Sequence, residues 1–267
     1  SDKKERMTNT HNVKKPKKNI YSMVDNGINI YRSTGYINKN AAYRNIVKNI
    51  HYTYMDEPII NSFAGKKDGI SSVYSCEGLC TMLSIYSPIF GYYINSKNAS
   101  LVRQSASWIC DNMIASGKYG DSVFSVIKYE RIRDFYAKFP MYSSENMASL
   151  YKELTVKSIA CIIGHETGHI CLGHVDNSER SDNNISRNDE RSADLFACSI
   201  LQGTGIGSSF VDGMLLMTLA IYFMEGDDTG YETHPSSTER VMNIIRSFKN
   251  ELEFSNIHES DILKIIG

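Results

Sequence analysis

The stretch GHETGHICLGH, residues 164–174, holds three of the chain's seven histidines and constrains the fold more than any other segment. On a helix, His165 and His169 lie one turn apart on the same face, with Glu166 beside them. Residues 146–172 read as that helix. Leu150, Leu154, Ile159, Ile162 and Ile163 form a broad apolar face, and Gly173 is suited to close it. H-E-x-x-H on a helix is the layout of a zinc site in which the imidazoles hold the metal and the glutamate serves as base.

Two imidazoles are too few, because a catalytic zinc takes three protein ligands and a water. His174 is one candidate for the third. In the H-E-x-x-H-x-x-G-x-x-H pattern a glycine turns the chain before the last histidine. Here His174 comes one residue early and Leu172 occupies the glycine position, so His174 reads as a helix-end residue and not as a ligand. Glu190 is the other candidate. It opens ERSAD on a second helix, read over 190–202, beyond the polar stretch HVDNSERSDNNISRND, which reads as a loop. Two antiparallel helices bring such a carboxylate to the open side of a metal. Asp194 lies one turn further along the same face, placed to accept a hydrogen bond from the outer nitrogen of a ligand histidine. The plain alternative for ERSAD is a solvated helix start with acids near its N-terminus.

These parts predict a zinc centre of His165, His169 and Glu190, with Glu166 as general base. A donor opposite the metal is needed for the developing oxyanion. His234, in YETHPSSTER, is the candidate, with Tyr231 a weaker one; the alternative for His234 is an ordinary loop histidine.

The remaining chain is read around this site. At 267 residues and 42% apolar content it suits a sizeable globular core. Its net charge of −1 argues against a nucleic-acid partner. Residues 1–18 carry seven Lys/Arg and read as a flexible basic N-terminus, ahead of a single domain over 19–267. The six cysteines include no C-x-x-C pair, which fits a reducing, cytoplasmic setting. No signal peptide is read, and MLLMTLAIYFM (214–224) is too short to span a bilayer. Residues 57–75 read as a β-hairpin about GKKDG, and 76–86 as a short helix. The stretch 88–145 is mixed, with SASWICDNMI and SVIKYERIRDFYAKF both suited to helices. GTGIGSS reads as a flexible turn, 209–225 as a buried helix, and GDDTGYETHP as a loop. Ser236 and Glu239 form a capping box before a helix striped by Val241, Ile244, Ile245 and Phe248, and an amphipathic helix ends the chain.

Taken together, EPIINSFAGKKDGISSVYSCEGL, GHETGH, ERSAD and THPSSTER resemble, in this order, the HtpX and CAAX-prenyl-protease type of zinc metallopeptidase, a gluzincin arrangement. The resemblance covers about 57–87 and 147–248 and implies an α+β, zincin-like fold, mostly helical, with a small β-sheet edging the cleft. It implies the same zinc ligands and base, Asp194 as the supporting acid, and His234 and Arg240 as an H-P…R pair near the site. It also implies that the strand at Asn61, Ser62, Phe63 and Ala64 takes an extended peptide. Ser62 departs from the usual alanine, residues 88–146 stand as an inserted region that shapes substrate choice, and the family's flanking membrane helices are missing. A soluble relative of the Lit-type phage-exclusion peptidases, which cleave a host translation factor, fits better. The ImmA-type peptidases carry Asn where this chain has Asp194. The expected activity is zinc-dependent endopeptidase cleavage of a protein or peptide substrate. The alternative is a catalytically silent zincin-fold binding module.

Overall fold

The computed structural model describes residues 22–29, 40–119, 122–176, 183–201, 210–225 and 235–267. Its centre is the predicted long helix. Helix α1 covers 22–29 and α2 Ala41–Lys48, the latter capped by Asn40, whose side chain accepts from the amides of Ala42 and Tyr43. Strands β1 (His51–Met55), β2 (Ser62–Lys67) and β3 (Ile70–Cys76) form a sheet in the order β1-β3-β2, with β1 parallel and β2 antiparallel to β3. The predicted hairpin is β2–β3. Its turn is Asp68–Gly69, both left-handed (φ 52° and 79°), the combination that a two-residue hairpin turn favours. Ser62, where alanine is usual in the resembled family, is accommodated because its hydroxyl donates to the Tyr74 carbonyl at 2.7 Å.

Helix α3 (Glu77–Ser96) corrects the short helix expected at 76–86. It continues through Pro88, which removes one helical N–H and interrupts the pattern a sequence reader follows. Burial of Leu79, Leu83, Ile85, Ile89, Phe90 and Tyr93 outweighs that loss. Helix α4 (Ala99–Met113) then leads into a second hairpin, β4 (Ile114–Tyr119) with β5 (Ser122–Ile127). Ser125–Ile127, expected to start a helix, are therefore strand; the helix α5 is confined to Ile132–Lys138. Ile127 donates its amide to the Pro58 carbonyl (2.9 Å) and Ile60 to that of Ser125 (2.8 Å), so these backbone bonds outcompete the local helical pattern. Within 88–146, Ile109, Met113, Phe135 and Tyr142 are fully buried in the common core.

Helix α6 (Ala148–Cys171) packs against α3, α7 (Asn183–Leu201) and α8 (Val211–Glu225). It is buried around most of its circumference, as befits a central helix. Gly173 ends it with φ 76°. Helix α7 takes in residues ahead of the expected start at 190: Asn183 already lies in it. Asn, Ser and Asp signal turns as readily as helix starts, which conceals this boundary in sequence. Helix α9 (Ser237–Ser247) carries the predicted cap, with the Glu239 amide donating to Ser236 Oγ at 3.1 Å, and its apolar stripe is buried. Two short helices, α10 (Lys249–Phe254) and α11 (Glu259–Ile266), close the chain. The architecture is α+β and mostly helical. Among the described residues no helix is long and apolar enough to cross a membrane. GTGIGSS lies outside them.

Candidate metal centre and cleft

Small residues bring the two site helices together. A Cβ at Gly168 would stand 3.1 Å from Phe196 Cδ1 and 3.3 Å from Ala193 Cα. The glycine of HETGH and the alanine of ERSAD thus set a close α6–α7 crossing. On the other side, Thr167 Oγ1 lies 3.2 Å from the Tyr52 hydroxyl and ties α6 to β1.

At that crossing His165, His169 and Glu190 converge, with one donor atom of each within 4.8 Å of the others. Nε2 of His165 stands 3.3 Å from Glu190 Oε2, Nε2 of His169 stands 3.3 Å from Oε1, and the two Nε2 atoms are 3.0 Å apart. Zinc–ligand bonds of about 2.0–2.1 Å at tetrahedral angles put ligand atoms about 3.3–3.4 Å from one another. The donor set, two imidazoles and a carboxylate, and its spacing fit a zinc ion. Glu190 is buried and lies well inside α7 rather than at a solvated helix start.

Asp194 sits where expected. His165 Nδ1 donates to its Oδ1 at 2.8 Å, which turns Nε2 toward the cluster. Arg240, on α9, grips the same carboxylate, with Nη2 2.7 Å from Oδ1 and Nε 2.9 Å from Oδ2. The charge balance follows from these contacts. Burial opposes charge on Asp194, but the Arg240 guanidinium and His165 prevail and hold its carboxyl below the usual carboxylate range. Burial likewise opposes charge on His165, yet Asp194 and Glu190 raise it to about 10. For Glu166, burial dominates and pushes the carboxyl up, against the pull of the His165 and His169 imidazoles.

His165, Glu166, His169 and Glu190 floor a cleft of about 780 Å³. Asn61, Ser62, Phe63 and Ala64 line it, as the sheet-edge reading expects, and β2 is an edge strand. Ser125 of the second hairpin also lines it, as do Met217, Ile221 and Met224 of α8, a wall the sequence did not reveal as part of the site. Arg240 reaches the cleft, and so does Pro235. Tyr231 and His234 lie outside the described residues. His174 is not among the converging ligands, in line with the reading of its spacing, but it is not a mere helix end: its Nδ1 stands 3.0 Å from Nδ1 of His169.

The two helices, their converging donors and the strand-edged cleft define a helical α+β domain with a candidate metal centre. The chain belongs to the Peptidase U49 family, a Lit-type protease family, whose model matches residues 87–259. That match takes in the second hairpin, both site helices and Arg240. Comparison with curated proteins found no match, and neither did comparison with solved structures. Family membership supports protease activity, hydrolysis of peptide bonds in protein substrates.

Proposed function

We propose that the chain is a zinc-dependent endopeptidase with Glu166 as general base. The observation that carries this reading is the convergence of His165, His169 and Glu190 beside Glu166 on the floor of a cleft. His165, His169 and Glu190 would hold the metal. When bound, zinc supplies Lewis acidity, which acidifies water and polarises a carbonyl.

The chain's own residues do the rest. Glu166 takes a proton from the attacking water as the new C–O bond forms at the peptide carbonyl carbon. It then delivers that proton to the leaving nitrogen as the C–N bond breaks. Burial keeps its carboxyl ready to hold the proton between the two events. Asp194 and Arg240 fix the ring of His165. The exposed edge of β2 orients an extended peptide by main-chain hydrogen bonding, with the Met217, Ile221 and Met224 wall taking an apolar side chain. His234, next in the chain to the cleft-lining Pro235, is assigned to the oxyanion on sequence grounds.

The test is Glu166→Gln. The variant is expected to bind zinc as the wild type does and to lose at least about 100-fold in peptide hydrolysis, the scale of a general base. Hydrolysis retained within a few-fold would remove Glu166 from the mechanism.

A further inference from the structure

The third histidine of GHETGHICLGH has a use that neither the metal set nor the base accounts for. His174 opens a 3-10 turn at His174–Asp176, directly after the left-handed Gly173 reverses the chain. The reversal lays its ring against that of His169, with centroids 5.1 Å apart and Nδ1 facing Nδ1 at 3.0 Å. The other nitrogen, Nε2, stands 3.2 Å from Asp189 Oδ1, and Ser192 Oγ lies 3.4 Å away. His174 is 9% exposed. Asp189 and Ser192 belong to α7, the helix that carries Glu190 and Asp194.

The chemistry of the partners favours one set of proton positions along this chain of contacts. A carboxylate only accepts, and Asp189 Oδ1 lies 3.2 Å from Nε2 with Ser192 Oγ at 3.4 Å, so a neutral His174 sets its proton on Nε2, toward these oxygens. Its Nδ1 is then an acceptor. The facing Nδ1 of His169 must therefore carry a proton, which leaves Nε2 of His169 as a bare lone pair. That Nε2 is the atom 3.3 Å from Glu190 and 3.0 Å from His165 Nε2. The opposite arm does the same in one step, from Asp194 to Nδ1 of His165.

We propose that His174 is a positioning residue for the metal centre: an Asp189–His174 relay sets the tautomer and ring orientation of His169, as Asp194 does for His165. This rests on the metalloprotease reading. It assigns both metal histidines a carboxylate anchored on the helix that supplies the third ligand, so that metal affinity depends on the α6–α7 crossing as a whole.

The experiment measures zinc affinity by chelator competition for wild type, His174→Leu and His174→Asn, each checked for folding by circular dichroism. Asn places an oxygen acceptor where Nδ1 of His174 stands; Leu fills the space and accepts nothing. His174→Leu is expected to bind zinc about 10–100-fold more weakly, and His174→Asn within about threefold of wild type. A second readout needs no variant: long-range proton–nitrogen NMR of the zinc-loaded wild type should show His169 protonated at Nδ1 and His174 at Nε2. Wild-type affinity in His174→Leu, equal losses in both variants, or the opposite tautomers would each overturn the relay. A wild type that takes up no zinc would instead overturn the metalloprotease reading, and the relay with it.

Discussion

Asp194 joins the stability of the fold to the readiness of the site, and the two contributions separate by mutation. Its carboxylate is 3% exposed and accepts three bonds: from His165 Nδ1, and from Nε and Nη2 of Arg240. Asp194→Ala removes all three. The guanidinium of Arg240, 9% exposed, then loses its carboxylate partner in a buried setting. Breaking such a pair from one side costs about 3–5 kcal/mol, and we expect the lower end because Arg240 reaches the cleft and its water. At about 2–4 °C per kcal/mol, the melting temperature should fall by about 6–12 °C. Replacing both partners by apolar groups of similar volume, Asp194→Leu with Arg240→Met, removes both buried charges and should recover most of that loss. It should not recover the metal site: zinc affinity is expected to drop about 10–100-fold in single and double variants alike, since neither holds Nδ1 of His165. Urea unfolding in the presence of a chelator reads the first effect, and chelator competition the second. A loss under about 1 kcal/mol in Asp194→Ala, or a double variant no more stable than the single, would refute the buried-pair reasoning.

Two further expectations concern the scaffold. A Cβ at Gly213 would lie 2.6 Å from the backbone carbon of Lys157 and 2.7 Å from its Cβ, so Gly213→Ala must push α8 off α6; a loss of about 1–3 kcal/mol by urea unfolding is expected, and an unchanged midpoint would contradict the close crossing. Burial raises the thiol of Cys76 to about 11 and that of Cys80 to about 12, so both stay protonated in the folded chain while unfolded thiols ionise from about pH 8.5. Their contribution to stability is complete below that pH and is lost as pH rises toward the folded values. Replacing both by alanine should flatten the fall in stability between about pH 8.5 and 10, and an unaltered slope would contradict the assignment.

What could be read from sequence, and what could not, follows the range of the interactions. The α6 helix, the β2–β3 hairpin and the Ser236 cap depend on residues within a few positions of one another, and each was legible. Glu190 and Asp194 were legible only because ERSAD repeats at helical spacing the geometry that H-E-x-x-H demands. Strand β1 is short and pairs in parallel with β3, which follows it in sequence only after β2, so nothing local announces it. The β4–β5 hairpin hides for a similar reason: its strand Ser122–Ile127 is held by Pro58 and Ile60, far back in the chain. The apolar wall of α8 was visible as a buried helix, but not as part of the cleft. The spacing of His174 set it apart from the candidate ligands, and its donor atoms lie outside the His165, His169 and Glu190 cluster. Its contact with His169 depends on the left-handed turn at Gly173, which a helix-period reading does not carry forward.

The most direct test of the account is elemental analysis of wild type and Glu190→Ala, both purified without added metal. The account predicts close to one zinc per wild-type chain and a large loss in Glu190→Ala, with His165 and His169 left as a two-ligand remnant. Normal zinc in Glu190→Ala would contradict the ligand set, and a wild type that neither holds zinc nor takes it up on titration would contradict the metalloprotease itself.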